Sequence, residues 1–258
     1  MTEFGLIASP LQEDRTLMHL VKYGVREHID QFFRDGTVQI GTVRSYDTAT
    51  HGSMIGDDEE GLSFQTITDD TVHLFRARGD NVPAFFGAPG CSGNVAMQTN
   101  VSFNYAIYSL SYVLHRDLCR DFSADYDAAF FIDCPIVFFY ELTKAFSASG
   151  LINEAIFQHV DDIQYSSRAL APEDEIVEAL VKPPQYAHQR EVRGLWNVGT
   201  PAQQFYRFKA PEARRCCRLV PWERMPDYPA GSLTPEQEWA AVRRAVYGDW
   251  TPPPNFSR

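Results

Sequence analysis

Apolar and polar positions switch between two periods along this chain, and each switch marks an element. Leu17-Met18-His19-Leu20-Val21-Lys22-Tyr23 reads as a strand that Gly24 ends. From Val25 to Arg34 the apolar residues Val25, Ile29, Phe32 and Phe33 fall on one helical face. Asp35-Gly36 closes that helix. Thr37 to Val43 predicts a second strand. A polar stretch follows from Tyr46 to Gly61, then strand character from Leu62 to Arg76 and a Gly- and Pro-rich loop from Gly79 to Asn94. Tyr105 to Tyr112 is a strong strand signal, rich in aromatic and aliphatic residues, with Ser109 and Ser111 sharing one face. Asp121 to Phe131 reads as mixed. Phe131-Ile132-Asp133 and Ile136 to Tyr140 are apolar, and Glu141 to Phe146 continues as a helix. Ile156 to Tyr165 predicts a strand. Ala171-Pro172-Glu173-Asp174-Glu175 predicts a helix start, with Lys182-Pro183-Pro184 as its stop. The loop Pro183 to His188 delivers the chain to Gln189. Glu191 to Val198 predicts another strand, and Gln204 to Lys209 with Cys216 to Val220 form a candidate hairpin. Thr234-Pro235-Glu236-Gln237 carries the capping signature of a helix that runs to about Tyr247.

The segment Gln189-Arg190-Glu191-Val192-Arg193 places an amide, a carboxylate and a guanidinium at alternate positions just before an apolar run. In a strand these three side chains would line one face. Charged residues on strands are usually exposed, so spacing alone reads as an edge strand with a solvated face. The same residues also read as a polar site.

Composition narrows the classes. With 258 residues and 44% hydrophobic residues, the chain can bury one substantial core. A net charge of −11 argues against broad nonspecific binding to nucleic acid. The visible basic cluster is Arg207, Lys209, Arg214, Arg215 and Arg218, interrupted by Glu212, and reads as a solvated strand or hairpin face. No apolar run is long enough to span a membrane, and the N-terminus lacks the order of a secretory signal. The cysteines are odd in number, and no C-x-x-C pair occurs, which points to packed thiols in a reducing cytoplasm. Adjacent Cys216 and Cys217 would face opposite sides of a strand. No spacing of His and Cys predicts zinc. The acidic run Asp57-Asp58-Glu59-Glu60 lacks the spacing of a calcium loop and reads as a helix start or solvated loop. Phosphate-cradling glycine loops and a nucleophile elbow are absent. His115 and Cys119 would share a helix face, a pair that reads as packing. The simplest account is a single α+β domain over residues 17–248, preceded by a mobile segment 1–16 and followed by the Pro-rich tail 249–258.

Three of these pieces fall in a recognisable order. Lys22 lies on the first strand, Ser109-Leu110-Ser111 on a middle strand, and Gln189-Arg190-Glu191 at the head of a late one. In this order they resemble the ADP-ribosyltransferase superfamily, in its arginine–serine–glutamate branch with a Q-x-E motif. The chain also resembles a group of uncharacterised bacterial proteins through Lys22 to Ile29, Ile40 to Thr42, Ile55 to Gly61 and Tyr186 to Arg193. Two departures stand out: Lys replaces Arg at the first position, and the middle segment lacks the usual Thr. The resemblance implies a split, mixed or antiparallel sheet flanked by helices, with NAD as co-substrate. It implies Glu191 as the catalytic carboxylate and Gln189 as the residue facing the acceptor. Lys22, Tyr23, Ser109 and Ser111 would contact the dinucleotide, with His19 or Arg44 as a substitute for Lys22 and Tyr186 as an alternative stacking ring. The acceptor would be nucleic acid or protein, and the setting an intracellular toxin or anti-phage effector with an antitoxin as a further partner. A plain NAD glycohydrolase and a non-catalytic nucleotide- or protein-binding module are the alternatives.

Overall fold

The computed structural model of the protein describes residues 20–42, 62–67, 95–100, 105–123, 125–152, 156–165, 169–170, 178–199, 204–228 and 232–248. The expectations for His19, Arg44, the acidic run Asp57–Glu60, the helix start at 171–175 and both termini lie outside these residues.

The opening strand–helix–strand unit forms as its pattern dictates. It comprises β1 (Leu20–Gly24), α1 (Arg26–Asp35) and β2 (Thr37–Thr42). Gly36 ends α1 at φ 79, and a Cβ there would lie 2.6 Å from the backbone of Pro211, so only glycine fits. Then follow β3 (Leu62–Ile67), β4 (Val95–Asn100) and β5 (Tyr105–Ser111). Next come α2 (Arg116–Phe122), β6 (Ala128–Ile132) and α3 (Pro135–Ala148). Ile136 to Tyr140 therefore belongs to the same helix as Glu141 to Phe146. Strands β7 (Ile156–Asp162), β8 (Gln164–Tyr165), β9 (Ala169–Leu170), β10 (Val181–Lys182) and β11 (Glu191–Asn197) lead to the site. The chain then forms β12 (Phe205–Lys209), β13 (Cys217–Val220) and α4 (Pro235–Tyr247). Helix α4 starts on the expected capping box between Thr234 and Gln237.

An eight-stranded antiparallel sheet runs β12-β2-β5-β1-β6-β13, with β11 on the other edge of β5 and β7 beyond β11. One edge of β5 is thus shared. Strand β2 pairs with it at Ala106 and Ile107, and β1 pairs with it at Ser111. Two small sheets lie apart: β8 with β10, and β4-β3-β9. The architecture is α+β in one domain.

The candidate hairpin does not form. Strand β12 pairs with β2 and β13 with β6, at opposite ends of the main sheet. The 3-10 segment Pro211–Cys216 carries the chain between them. Because Cys216 belongs to that turn, it and Cys217 border the same core rather than opposite faces. The basic residues on these elements are held individually: Lys209 pairs with Asp35 at 3.3 Å and Arg218 with Asp133 at 2.6 Å. Arg215 pairs with Glu212 at 2.8 Å, and Arg214 donates to the Phe33 carbonyl.

Burial follows the strand alternation. One face of the sheet carries Leu20, Ala106, Tyr108, Leu110, Phe130, Val192 and Trp196 under α1 and α3. The other face carries two smaller cores. Val21, Tyr23, Ala129 and Phe131 pack with residues of α2 and α4, while Ile107 and Leu195 pack with Ile163, Ala179 and Leu180. On that second face Ser109, Ser111, Glu191 and Arg193 share the alternation of Ile107 and Leu195. No helix among the described residues is long and apolar enough to cross a membrane.

Candidate functional site

Strand β11 lies between β5 and β7, so the Glu191 strand is internal and its charged residues are not a solvated edge. Glu191, Arg193 and Gln189 are 2%, 0% and 1% exposed. Burying a carboxylate demands partners, and Glu191 has two. Its Oε1 accepts from Arg193 Nε at 2.7 Å, and its Oε2 accepts from Lys182 Nζ at 2.6 Å. Its backbone N–H donates to the Tyr165 hydroxyl at 2.7 Å. Burial by itself would raise the Glu191 pKa. The charges of Arg193 and Lys182 and their hydrogen bonds outweigh that effect and lower it from 4.5 to about 2, so the carboxylate is ionised at neutral pH.

Gln189 reaches the same cluster by a different route from the one its spacing predicts. Pro184–Gln189 is a 3-10 turn, not a strand lead-in, and Arg190 closes it at φ 42, with its N–H donating to the Ala187 carbonyl. This left-handed residue breaks the alternation between Gln189 and Glu191. Gln189 is nonetheless fixed beside Glu191. Its Oε1 accepts from Lys182 Nζ at 3.1 Å, and its carbonyl accepts from Ser111 Oγ at 2.8 Å. The side chain therefore points into the cluster rather than outward to an acceptor.

Lys182 is the residue that sequence reasoning missed. The sequence pattern places it in a helix stop, whereas Val181 and Lys182 form β10, parallel to β8. Lys182 is 4% exposed, and its ammonium lies over the Tyr186 ring, 5.1 Å from the centroid. The one signal in the chain is a lone cation beside an apolar residue and a Pro-Pro pair.

Lys22 does not join this cluster. It sits opposite Phe130 in the register, on the α1/α3 face, with its ammonium 4.6 Å from the Tyr108 centroid. Nζ donates to the Ser109 carbonyl at 2.9 Å, where the edge of β5 passes from β2 to β1. The side chains of Ser111 and Glu191 lie on the opposite face. The Lys22 ammonium occupies one wall of a cleft of about 310 Å³ shared with His28, Gln39, Tyr108, Tyr126 and Arg207. Burial lowers the Lys22 pKa from 10.5 to about 8, against the attraction of Glu191. Between these two values the unfolded chain binds more protons than the folded one, so stability rises with pH there. Lys22→Met is expected to melt higher than the parent at pH 7 and to lack that rise between pH 8 and 10.5. Thermal melts across that range check it. A lower melting temperature at pH 7 would mean that the bond to Ser109 outweighs the burial of charge.

The remaining expected contacts are structural in this conformation. The Tyr23 ring stacks on Phe122 at 5.5 Å, and its hydroxyl donates to the Val113 carbonyl at 2.6 Å and accepts from the His115 N–H at 2.8 Å. Ser111 is buried, and its Oγ also accepts from the Val113 N–H at 3.1 Å. Ser109 is half-buried on β5, opposite Arg193. His115 caps α2 by accepting from the Leu118 N–H, and burial pushes the Cys119 thiol up to about 12. That pair is packing, as expected, and Cys119 is no thiolate nucleophile.

A larger cavity of about 850 Å³ lies past the head of β11, lined by residues that include His115, Asp121, His188, Arg190, Tyr228 and Glu238. Arg190 pairs with Glu238 at 2.9 Å across this region, and His188 Nε2 lies 3.7 Å from Asp121 Oδ2. Glu191 lines neither this cavity nor the Lys22 cleft. No protein-family model, no curated protein and no solved structure matches the chain.

Proposed function

We propose that the protein is an ADP-ribosyltransferase that uses NAD as substrate, with Glu191 as its essential carboxylate. The observation that carries this reading is a row across three neighbouring strands. Ser111 on β5 is the register partner of Val21 on β1 and of Glu191 on β11. The strands bearing the basic residue, the serines and the glutamate are therefore adjacent. The shared edge of β5 gives the sheet a fork at Lys22, in keeping with a split sheet.

In this reaction the bond between nicotinamide and ribose breaks, and its electron pair leaves with nicotinamide. The ribose carbon acquires oxocarbenium character. An acceptor nucleophile then forms the new bond and gives up its proton. An ionised carboxylate beside the ribose accepts a hydrogen bond from a ring hydroxyl and stabilises the developing positive charge. Glu191 has the required charge state. A carboxylate offers about four lone-pair sites, and Lys182 and Arg193 occupy one on each oxygen. The Lys22 cleft, with Tyr108 and Tyr126 in its walls, is at the lower end of the size range of small-molecule sites, about 300–1,000 Å³. Glu191 does not line this cleft, so the cleft by itself does not put a ribose beside the carboxylate.

A specific observation favours hydrolysis of NAD as the second reading. Gln189 spends its amide oxygen on Lys182 and is buried, so the residue that the Q-x-E motif assigns to the acceptor does not face outward. For transfer, the proposed acceptor is nucleic acid or protein, and the proposed setting is an intracellular toxin or anti-phage effector with an antitoxin as a further partner.

Glu191→Gln is expected to lower nicotinamide release from NAD by about 10²–10³-fold, with circular dichroism of the folded chain retained. An undiminished rate removes the proposal. NAD labelled in its adenylate half separates the two readings, since hydrolysis leaves no label on nucleic acid or protein.

A further inference from the structure

We infer that Lys182 is the positioning residue for Glu191, holding its carboxylate in one orientation and in its charged form for the reaction proposed above. This inference rests on the transferase or hydrolase reading and goes beyond it, because the motif that suggested that reading does not contain Lys182.

The geometry assigns this role in three steps. First, the small β8–β10 sheet grips Glu191 at two points. In its register Lys182 is the partner of Tyr165. The Tyr165 hydroxyl takes the Glu191 backbone N–H, and the Lys182 ammonium takes the Glu191 carboxylate. One two-residue strand pair thus fixes both ends of the side chain. Second, Lys182 binds the Gln189 amide oxygen with the same ammonium. It bridges the two residues that the left-handed turn at Arg190 separates, and so restores the relation that a continuous strand would have provided. Third, Arg193 already supplies a cation on Oε1. A second cation is not needed merely to neutralise the charge. What it adds is a fixed plane for the carboxylate, since each oxygen is held from a different element.

The ionisable groups around Glu191 are Arg193 on its own strand, Lys182 on β10 and Tyr165 on β8. Lys22 on β1 and Tyr126 feel its charge from further away. Asp162, at the end of β7, lies near Tyr165. Of the two cations in contact, only Lys182 comes from outside the main sheet, so its removal leaves the β5–β11–β7 ladder intact.

The test uses the full-length chain and two readouts. In the first, glutamate carboxyl carbons are labelled with ¹³C and followed by NMR without NAD, with Glu191→Gln identifying the resonance. The Glu191 carboxylate of the parent should show no titration above pH 4. In Lys182→Met it should titrate about one unit or more higher than in the parent, the shift expected on losing one adjacent opposite charge. Lys182→Arg should restore the parent behaviour. In the second readout, nicotinamide release from NAD is measured across pH. Lys182→Met should lose about 10²-fold in kcat, with KM for NAD nearly unchanged and the acid limb moved to higher pH. Lys182→Arg should bring the acid limb back. Should the methionine variant fail to fold, Lys182→Gln keeps a donor without the charge and reads the same limb. A parent-like titration in the folded methionine or glutamine variant overturns the inference, as does a loss confined to KM. If the parent releases no nicotinamide, or if Glu191→Gln keeps the full rate, the functional reading fails and the positioning role falls with it. If Glu191→Gln is inactive while Lys182→Met keeps the parent profile, only the inference fails.

Discussion

Glu191→Ala is expected to destabilise the protein by about 3–5 kcal/mol at pH 7, because it leaves two cations buried without their counter-charge. Arg193 and Lys182 are 0% and 4% exposed. Lys182 retains Gln189, and Arg193 retains the Ala179 carbonyl, but neither of those is charged. Glu191→Gln keeps an acceptor oxygen and should cost less than the alanine change. The pH dependence gives a second mark. The Glu191 pKa is depressed in the folded state, from 4.5 to about 2. Its contribution is therefore complete above the unfolded value and is lost as pH falls from about 4.5 toward 2. That window corresponds to a contribution on the order of 3 kcal/mol, in the same range as the expected effect of the substitution. The gap between parent and alanine variant should narrow as acid is added. Urea unfolding at pH 7, 4 and 3 measures it. A loss under about 1 kcal/mol at pH 7 would mean that the ion cluster does not carry this energy.

Local pattern predicted most of the described elements, and the reasons are visible in particular residues. Helix α1 was legible because four apolar residues share one face and Gly36 takes a conformation that suits glycine. Helix α4 was legible from its capping box, and β5 and β11 from their aliphatic and aromatic content. What could not be read is how these elements meet. Strand β1 carries Leu20 and Lys22 on one face and Val21 and Tyr23 on the other, and both faces bury apolar residues. The alternation therefore could not show that Lys22 faces away from Glu191. The turn at Arg190 carries no glycine or asparagine to announce a left-handed residue, so Gln189 was placed on the strand with Glu191. Closeness in sequence suggests a hairpin of β12 and β13, but the 3-10 segment Pro211–Cys216 carries the chain from the strand that pairs with β2 to the strand that pairs with β6. Lys182 was hidden for a similar reason: a Pro-Pro pair marks where a helix ends but not which partner an adjacent lysine finds.

Trp196→Ala should cost about 3–5 kcal/mol, the range for deleting a fully buried large aromatic side chain. Trp196 is 0% exposed and lies on the α3 face of β11. Its ring packs against Phe139 at 5.9 Å and Phe146 at 6.2 Å, and its Nε1–H donates to Thr143 Oγ1 at 2.8 Å. The neighbouring small residue on that face explains why the site cannot refill. A Cβ on Gly194 would come within 2.2 Å of Phe139 Cε1, so Phe139 already lies against the strand there and cannot drop further. Removing the indole leaves a cavity rather than a collapsed core. Chemical denaturation of the alanine variant checks the size of the loss, and a cost under about 1 kcal/mol would show that α3 closes over the gap. The two substitutions lie on one strand, five residues apart, and on opposite faces, yet they should respond differently to acid. Trp196 has no proton to exchange, so its loss should stay constant from pH 7 to 3. The Glu191 loss should shrink over the same range. If both losses stay constant, the charge at the head of β11 is not what holds its buried partners in place.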